Sequence, residues 1–158
     1  HIHALGQGED LTAFARLGAS FGATVHALTP DRPTVDLLAG EGIAASLLAT
    51  RSTLPITQSD LWTAVVFLFH VRDWEEFFLP QSLALPSFYF EAIGSRRTHA
   101  ARLAMLEEAG VPPEQIASVR GHIGLIPATR DPATLALSIL AEIVADYNTL
   151  AQWSHWMG

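Results

Sequence analysis

The sequence predicts an α/β fold, a Rossmann-like, doubly wound and mostly parallel sheet with helices on both faces. Short apolar runs alternate with segments of helical spacing along the chain, which is the pattern of parallel strands joined by crossover helices. The run at 61–69 (LWTAVVFLF) is apolar almost throughout, as is typical of a parallel strand covered on both faces. The chain also opens with a short apolar run, Gly6-Gln7-Gly8 and a helical pattern, the order that begins a Rossmann unit.

Five segments have the composition of strands. They are apolar and are bounded by glycine, proline or polar residues. The predicted strands are residues 2–5, 24–28, 43–48, 61–69 and 88–93. We expect the run at 61–69 to form the central strand, with residues 65–68 fully buried.

The segments between and after these strands predict helices. Ser95 is a good N-cap for a helix that starts at Arg96, and Gly110 is a plausible stop for it. Asp131 and Pro132 are suited to the cap and first position of the last helix, whose nearly continuous apolar sequence predicts deep burial. The other predicted helices are residues 9–21, 34–39, 73–84 and 112–119, and the last helix covers 131–146.

The length of 158 residues suits one domain with a full core. We expect a single Rossmann-like domain over residues 1–147, followed by a C-terminal tail at 148–158. Trp153 and Trp156 in that tail are expected to pack on the domain, with docking of a partner as the alternative.

Composition excludes several classes of function. A net charge of −7 argues against partners that are nucleic acids or anionic membrane surfaces. The chain has no lysine, which excludes a Walker-type phosphate lysine and a Schiff base, and no cysteine, which excludes disulfides and thiolate ligands. No apolar run has the length of a membrane span and no secretory signal is recognised. The absence of cysteine fits a cytoplasmic protein, which is the expectation.

The strongest candidate site lies where the 88–93 strand gives way to its helix. Gly94 and Ser95 are followed by Arg96 and Arg97 in the first helical turn, where cations oppose the helix dipole. A glycine, a hydroxyl and free backbone N–H groups at a helix start favour an anion, and two arginines beside them suit a phosphate. The alternative is a pair of solvated surface arginines.

The first glycine loop is a weaker signal for a dinucleotide. Gly6 and Gly8 fit the pattern, but Glu9 and Asp10 occupy the helical turn where a pyrophosphate would bind, and they repel phosphate. Thr29 stands at the end of the second strand, where a ribose-binding acid is expected. We therefore predict that Glu9 and Asp10 keep phosphate out of this position.

Three histidines fall in or near predicted loops. His70 closes the 61–69 strand, His99 lies one turn beyond Ser95, and the role of His122 is left open between structure and function. None belongs to an HExxH, CxxC or paired-histidine pattern, so no metal site is predicted. The acidic pair Glu75–Glu76 is interpreted as a solvated helix face.

Three motifs resemble one known family. The stretch 92–99 (AIGSRRTH) resembles the "GALGSRRTHARRL" segment of the xanthine dehydrogenase accessory proteins, the XdhC/CoxI family. Residues 121–125 (GHIGL) resemble that family's "GPIGL", and residues 132–143 resemble its "PAEIALSILAEI". Their order and spacing match the family's C-terminal Rossmann domain over nearly the whole chain.

The resemblance implies a maturation factor for molybdenum hydroxylases rather than a catalyst. Such a factor binds molybdopterin cofactor and assists its sulfuration and insertion, so the implied partners are a molybdenum hydroxylase apoenzyme and a cysteine desulfurase. A homo-oligomer stays open. The expected cofactor-binding residues are Gly6, Gly8, His70, Gly94, Ser95, Arg96, Arg97 and His99.

Several crevice positions depart from the family pattern. Glu9 replaces a histidine, Thr29-Pro30-Asp31 replaces "DPR", and residues 69–71 (FHV) replace "THD". Residues 124–129 (GLIPAT) replace "GLDIGA". Two alternatives therefore stay beside the leading hypothesis: an NAD(P)-binding oxidoreductase of Rossmann fold, and a diverged, non-catalytic interaction subunit.

Overall fold

The computed structural model describes residues 1–49, 54–56, 58–71, 73–120, 124–126 and 131–157, with the backbone alone at 153–157. The strands are β1 (Ile2–Gly6), β2 (Val25–Thr29), β3 (Ala44–Leu47), β4 (Ala64–Leu68) and β5 (Tyr89–Ala92). The helices are α1 (Gly8–Phe21), α2 (Arg32–Gly40), α3 (Glu75–Leu83), α4 (Arg96–Glu108), α5 (Pro113–Ala117) and α6 (Pro132–Met157). Each predicted strand and helix is present in the predicted order.

The five strands form one sheet in the order β3-β2-β1-β4-β5, and every neighbouring pair is parallel. The predicted parallel α/β fold is therefore confirmed. β4 pairs with β1 and β5, and its residues are fully buried, as expected. The middle strand is β1, however, because strand order depends on how the chain crosses over and not on the hydrophobicity of one strand.

β4 is shorter than the predicted strand at 61–69. The Asp60 carboxylate accepts a hydrogen bond from the Trp62 backbone N–H at 2.9 Å, and the Thr63 N–H donates to the Asp60 carbonyl at 3.1 Å. These two bonds form a turn immediately before the strand. Leu61 lies in that turn and is 65% exposed, so the apolar run starts outside the sheet.

Side chains of the inner strands alternate between two apolar layers, one on each face of the sheet. Val66 and Leu68 pack in the layer that includes α1, α2 and α6. Val65 and Phe67 pack in the layer that includes α3 and α4. The sheet therefore has helices on both faces, as the sequence predicts.

α6 differs from its prediction in length and in burial. It continues beyond Asp146 to Met157, packs along α1, and buries one face that includes Leu135, Ile139 and Ile143. Leu137 is 53% exposed, so the expectation of burial on all sides is wrong. By length and composition alone Pro132–Gln152 would suit a membrane span, but a helix in the core of a domain meets the same criteria.

A buried acid in β5 connects that strand to α6 and to the segment around residue 124. Glu91 is 0% exposed, accepts a hydrogen bond from the Gly124 N–H at 2.9 Å, and contacts the Tyr89 hydroxyl. That hydroxyl donates to Glu142 at 2.8 Å, and Arg120 donates to the same carboxylate at 3.2 Å. Burial, together with the negative charge of Glu142, raises the pKa of Glu91 to about 8.

The Glu91→Gln variant is expected to lose the part of the free energy of unfolding that decreases between pH 5 and 8. It should keep the opposite contribution of His3, His26 and His99, whose pKa values are lowered by burial, so that its stability rises with pH. The unfolded chain releases the Glu91 proton near pH 4.5 and the folded chain near pH 8, so the folded state holds the extra proton in between. In the wild type this lowers the free energy of unfolding as pH rises, by up to about 1.4 kcal/mol per pH unit. Glutamine is neutral throughout and removes that slope.

Urea unfolding at pH 5.5, 6.5 and 8 measures this effect for both proteins. Glu108→Gln, at an exposed position on α4, is the matched control and should keep the wild-type slope. A wild-type slope in Glu91→Gln would contradict the assignment of a buried, protonated Glu91.

Candidate functional site

The carboxyl ends of the parallel strands lie together at one edge of the sheet. From β1 the chain continues into α1 on one face, and from β4 into α3 on the other, so the two neighbouring strands are a switch point in the topology. Ligands of open α/β sheets bind in the crevice at such a point. We define the crevice by the three loops at 6–10, 69–71 and 93–97.

Gly6 allows the first of these loops to approach β4. A Cβ atom at this position would lie 2.6 Å from the Leu68 carbonyl oxygen and 2.7 Å from the Leu68 Cβ. No larger residue fits without moving one of the two strands. The glycine is therefore needed for strand packing, whether or not a ligand binds beside it.

The structure joins two crevice residues that the sequence treats separately. His70 Nε2 lies 2.5 Å from the Asp10 carboxylate, with the two side chains 69% and 11% exposed. This contact links the start of α1 to the end of β4. The Asp10 carboxylate and the exposed Glu9 thus hold negative charge in the turn that a dinucleotide pyrophosphate would need.

The end of β2 also lacks the arrangement that binds a dinucleotide ribose. Thr29 is buried, and its hydroxyl accepts a hydrogen bond from the Asp31 N–H at 3.3 Å. The Asp31 carboxylate contacts the Thr34 hydroxyl in the first turn of α2. Asp31, the acid that follows β2, is therefore bonded to the first turn of its own helix.

The start of α4 has the geometry that the sequence predicts. Ser95 is the N-cap, and its hydroxyl oxygen accepts a hydrogen bond from the Thr98 N–H at 3.1 Å. Gly94 has φ 147°, and a Cβ there would lie 2.8 Å from the Thr98 methyl group. Arg96 and Arg97 are exposed in the first turn, and neither forms an ion pair with an acid in the described part of the chain.

A buried arginine that the sequence analysis missed lies below this turn. Arg102 is 1% exposed and donates to both oxygens of the Glu75 carboxylate, at 2.9 and 3.0 Å. Glu75 is 0% exposed, so its interpretation as part of a solvated face is wrong. Helical spacing could have indicated that Arg102 is buried, because it lies one turn before Leu106 on the same side of α4.

His99 lies beside α5. It lines a groove of about 490 Å³ with Leu103, Val111 and Ile116. Burial lowers its pKa, and the positive charge of Arg102 lowers it further. Its buried Nδ1 has no hydrogen-bond partner within the described residues.

His122 lies outside the described residues. The described residues contain no group of three or more histidines or acids that could hold a metal ion.

Comparison with known proteins identifies the family. Residues 2–143 match the family described as the XdhC Rossmann domain. The molybdenum cofactor insertion chaperone PaoD of Escherichia coli (strain K12) is 36% identical over 112 residues, which cover 71% of this chain and 35% of PaoD.

A solved structure shares the fold. It is described as a xanthine dehydrogenase from Bacillus halodurans and matches with a TM-score of 0.75 at 15% identity, covering 94% of this chain and 42% of that one. The chain thus spans less than half the length of either protein. With its parallel sheet, its capped arginine helix and a family match over residues 2–143, the chain belongs to the XdhC Rossmann-domain family.

Proposed function

We propose that this domain binds the molybdenum cofactor, as molybdopterin or its dinucleotide form, during the maturation of a molybdenum hydroxylase. Membership of the XdhC family and the similarity to PaoD support a role in cofactor insertion. The observation that carries the proposal is the start of α4, where Ser95 caps the helix and two exposed arginines have no acidic partner among the described residues. We propose a binding role and not a catalytic one.

This helix start fits the phosphate of the cofactor. Backbone N–H groups at a helix start and the forked guanidinium groups of arginine both donate hydrogen bonds to phosphate oxygens. The chain as a whole carries a net charge of −7, and the two exposed arginines place local positive charge at this loop. Gly94, Ser95, Arg96 and Arg97 would hold the anionic end of the ligand.

The remaining proposed residues lie on other elements. Gly6 and Gly8 belong to the first crevice loop, and His70 follows β4, across the switch point. We propose that they contact the part of the ligand that extends away from the phosphate. His99, in the same helix as the arginines, completes the proposed set.

The proposed setting is the cytoplasm, with a molybdenum hydroxylase apoenzyme and a cysteine desulfurase as partners. Residues 1–147 would be the cofactor-binding domain and 148–158 a tail. The chain spans about a third of PaoD, so these partners are proposed for the whole protein that contains this domain.

Replacing Arg96 and Arg97 together by glutamate should abolish ligand binding without unfolding the protein. Acids suit the first turn of a helix, so α4 itself should be slightly stabilised. Hydrogen bonds to charged groups contribute about 1.5–3 kcal/mol each, so loss of two should weaken affinity by roughly 10²–10⁴-fold. Calorimetric titration with a phosphorylated pterin, alongside melting curves, measures both effects.

A control matched in charge replaces two exposed arginines outside the crevice by glutamate: Arg16, which pairs with Glu41, and Arg32. This variant changes the net charge by the same amount and should bind like the wild type. Lysine at position 96 or 97 should give a smaller loss, because it keeps the charge and lacks the fork. Unchanged binding by the Arg96→Glu/Arg97→Glu variant would exclude this helix start as the anion site.

Reduced nicotinamides should not saturate the wild-type protein, because Glu9 and Asp10 repel a pyrophosphate at α1. Removing both charges with Glu9→Gln and Asp10→Asn should raise the affinity for NADH or NADPH by up to about tenfold, as expected for partly exposed charges. Fluorescence titration of the nicotinamide measures this. Saturable binding by the wild type would favour the oxidoreductase alternative and would show the electrostatic argument to be wrong.

A further inference from the structure

The chain passes from β5 to α4 over a buried guanidinium group. Besides its two bonds to Glu75, Arg102 donates to the Ala92 carbonyl at 3.3 Å and to the Ile93 carbonyl at 2.8 Å. One side chain therefore satisfies the last two carbonyls before Gly94. A Cβ atom at Gly94 would lie 3.5 Å from Arg102 Nη2, so the guanidinium also packs against the start of the loop.

The end of β5 is held from two directions. The Ile93 N–H donates to the Phe67 carbonyl of β4 at 3.0 Å, while its carbonyl accepts from Arg102. The next residues are Gly94, with its positive φ, and the N-cap Ser95. The direction in which the first turn of α4 leaves the sheet is consequently set by this pair of contacts.

Glu75 extends the same arrangement to a second crevice loop. It is the first residue of α3, and the loop that precedes α3 carries His70. The ion pair therefore ties the loop after β4 to the loop after β5. A displacement of one loop would have to stretch or break buried hydrogen bonds to the other.

Stability alone does not explain this arrangement. A buried ion pair stabilises a protein about as much as apolar residues of the same volume, or less, because both charges lose their water. Apolar residues could fill the space, but they cannot donate to the Ala92 and Ile93 carbonyls. The distinct contribution of Arg102 is the planar fork that reaches a carboxylate and a strand end at once.

We infer that Arg102, through its buried pairing with Glu75, is a positioning residue that fixes the 93–97 loop for anion binding. The identity of the ligand rests on the proposed function above. The positioning itself is a property of the loop and is measurable without any ligand.

The test replaces the pair by apolar residues, Glu75→Leu with Arg102→Met. The variant should still fold, since no unpaired charge is left behind, but with a lower melting temperature, because the Ala92 and Ile93 carbonyls lose their donor. Amide hydrogen exchange at Ile93, Thr98 and His99, whose N–H groups donate to the Phe67 carbonyl or to Ser95, should accelerate at least tenfold. Titration with inorganic phosphate should show at least a tenfold loss of affinity. Wild-type exchange and affinity in this variant would overturn the inference.

Two further variants separate positioning from simple stability. Leu106→Ala removes a buried side chain from the same face of α4, so it should lower the melting temperature while leaving phosphate affinity unchanged. Arg102→Lys keeps the charge opposite Glu75 and loses the fork, and it should show the loop effect in a folded protein. If the apolar pair fails to fold, wild-type loop exchange in Arg102→Lys overturns the inference.

The experiments distinguish a failure of the proposed function from a failure of the inference about Arg102. If the wild type binds no phosphate, or if Arg96→Glu/Arg97→Glu binds it as well as the wild type, the proposed anion site is wrong. The exchange measurement on the Arg102 variants still decides whether this residue positions the loop.

Discussion

The close approach of β1 and β4 is the contact on which the rest of the crevice depends. These two strands send the chain to opposite faces of the sheet, and their ends meet at Gly6, where a side chain would collide with the Leu68 carbonyl. Because the strands end so close together, Asp10 at the start of α1 can reach His70 beyond β4. The contact between Gly6 and Leu68 therefore fixes where the crevice opens. The Asp10–His70 pair closes it on one side.

β5 is the last strand of the sheet, and polar side chains fix it from several sides. On the α6 side, Glu91 contacts Tyr89 and the Gly124 backbone, while the Arg120 N–H donates to the Phe90 carbonyl. At its carboxyl end, Arg102 binds the final carbonyls. An edge strand normally leaves backbone groups unpaired. Here the protein pairs several of them, and the strand that carries the arginine loop is thereby held in place.

Local signals in the sequence predicted the strands, the helices and the Ser95 cap, because strand and helix periods and capping residues act over a few neighbours. They did not reveal the position of β1 in the middle of the sheet. They also missed the burial of Glu75, which depends on Arg102, 27 residues later in the chain. The Asp10–His70 contact spans 60 residues. Each missed feature is a pairing between segments that are distant in the sequence. The neighbours of an acid in the sequence do not show whether it pairs with a distant residue or is exposed to solvent.

The raised pKa of Glu91 makes a proton part of the folded structure. At neutral pH the folded chain carries one negative charge fewer than the formal −7 of its sequence, because this carboxyl group stays neutral. Folding in that range takes up a proton from the buffer, and unfolding returns it. The heat absorbed on unfolding therefore includes the ionisation heat of whichever buffer accepts that proton, and it differs between phosphate and Tris solutions at the same pH.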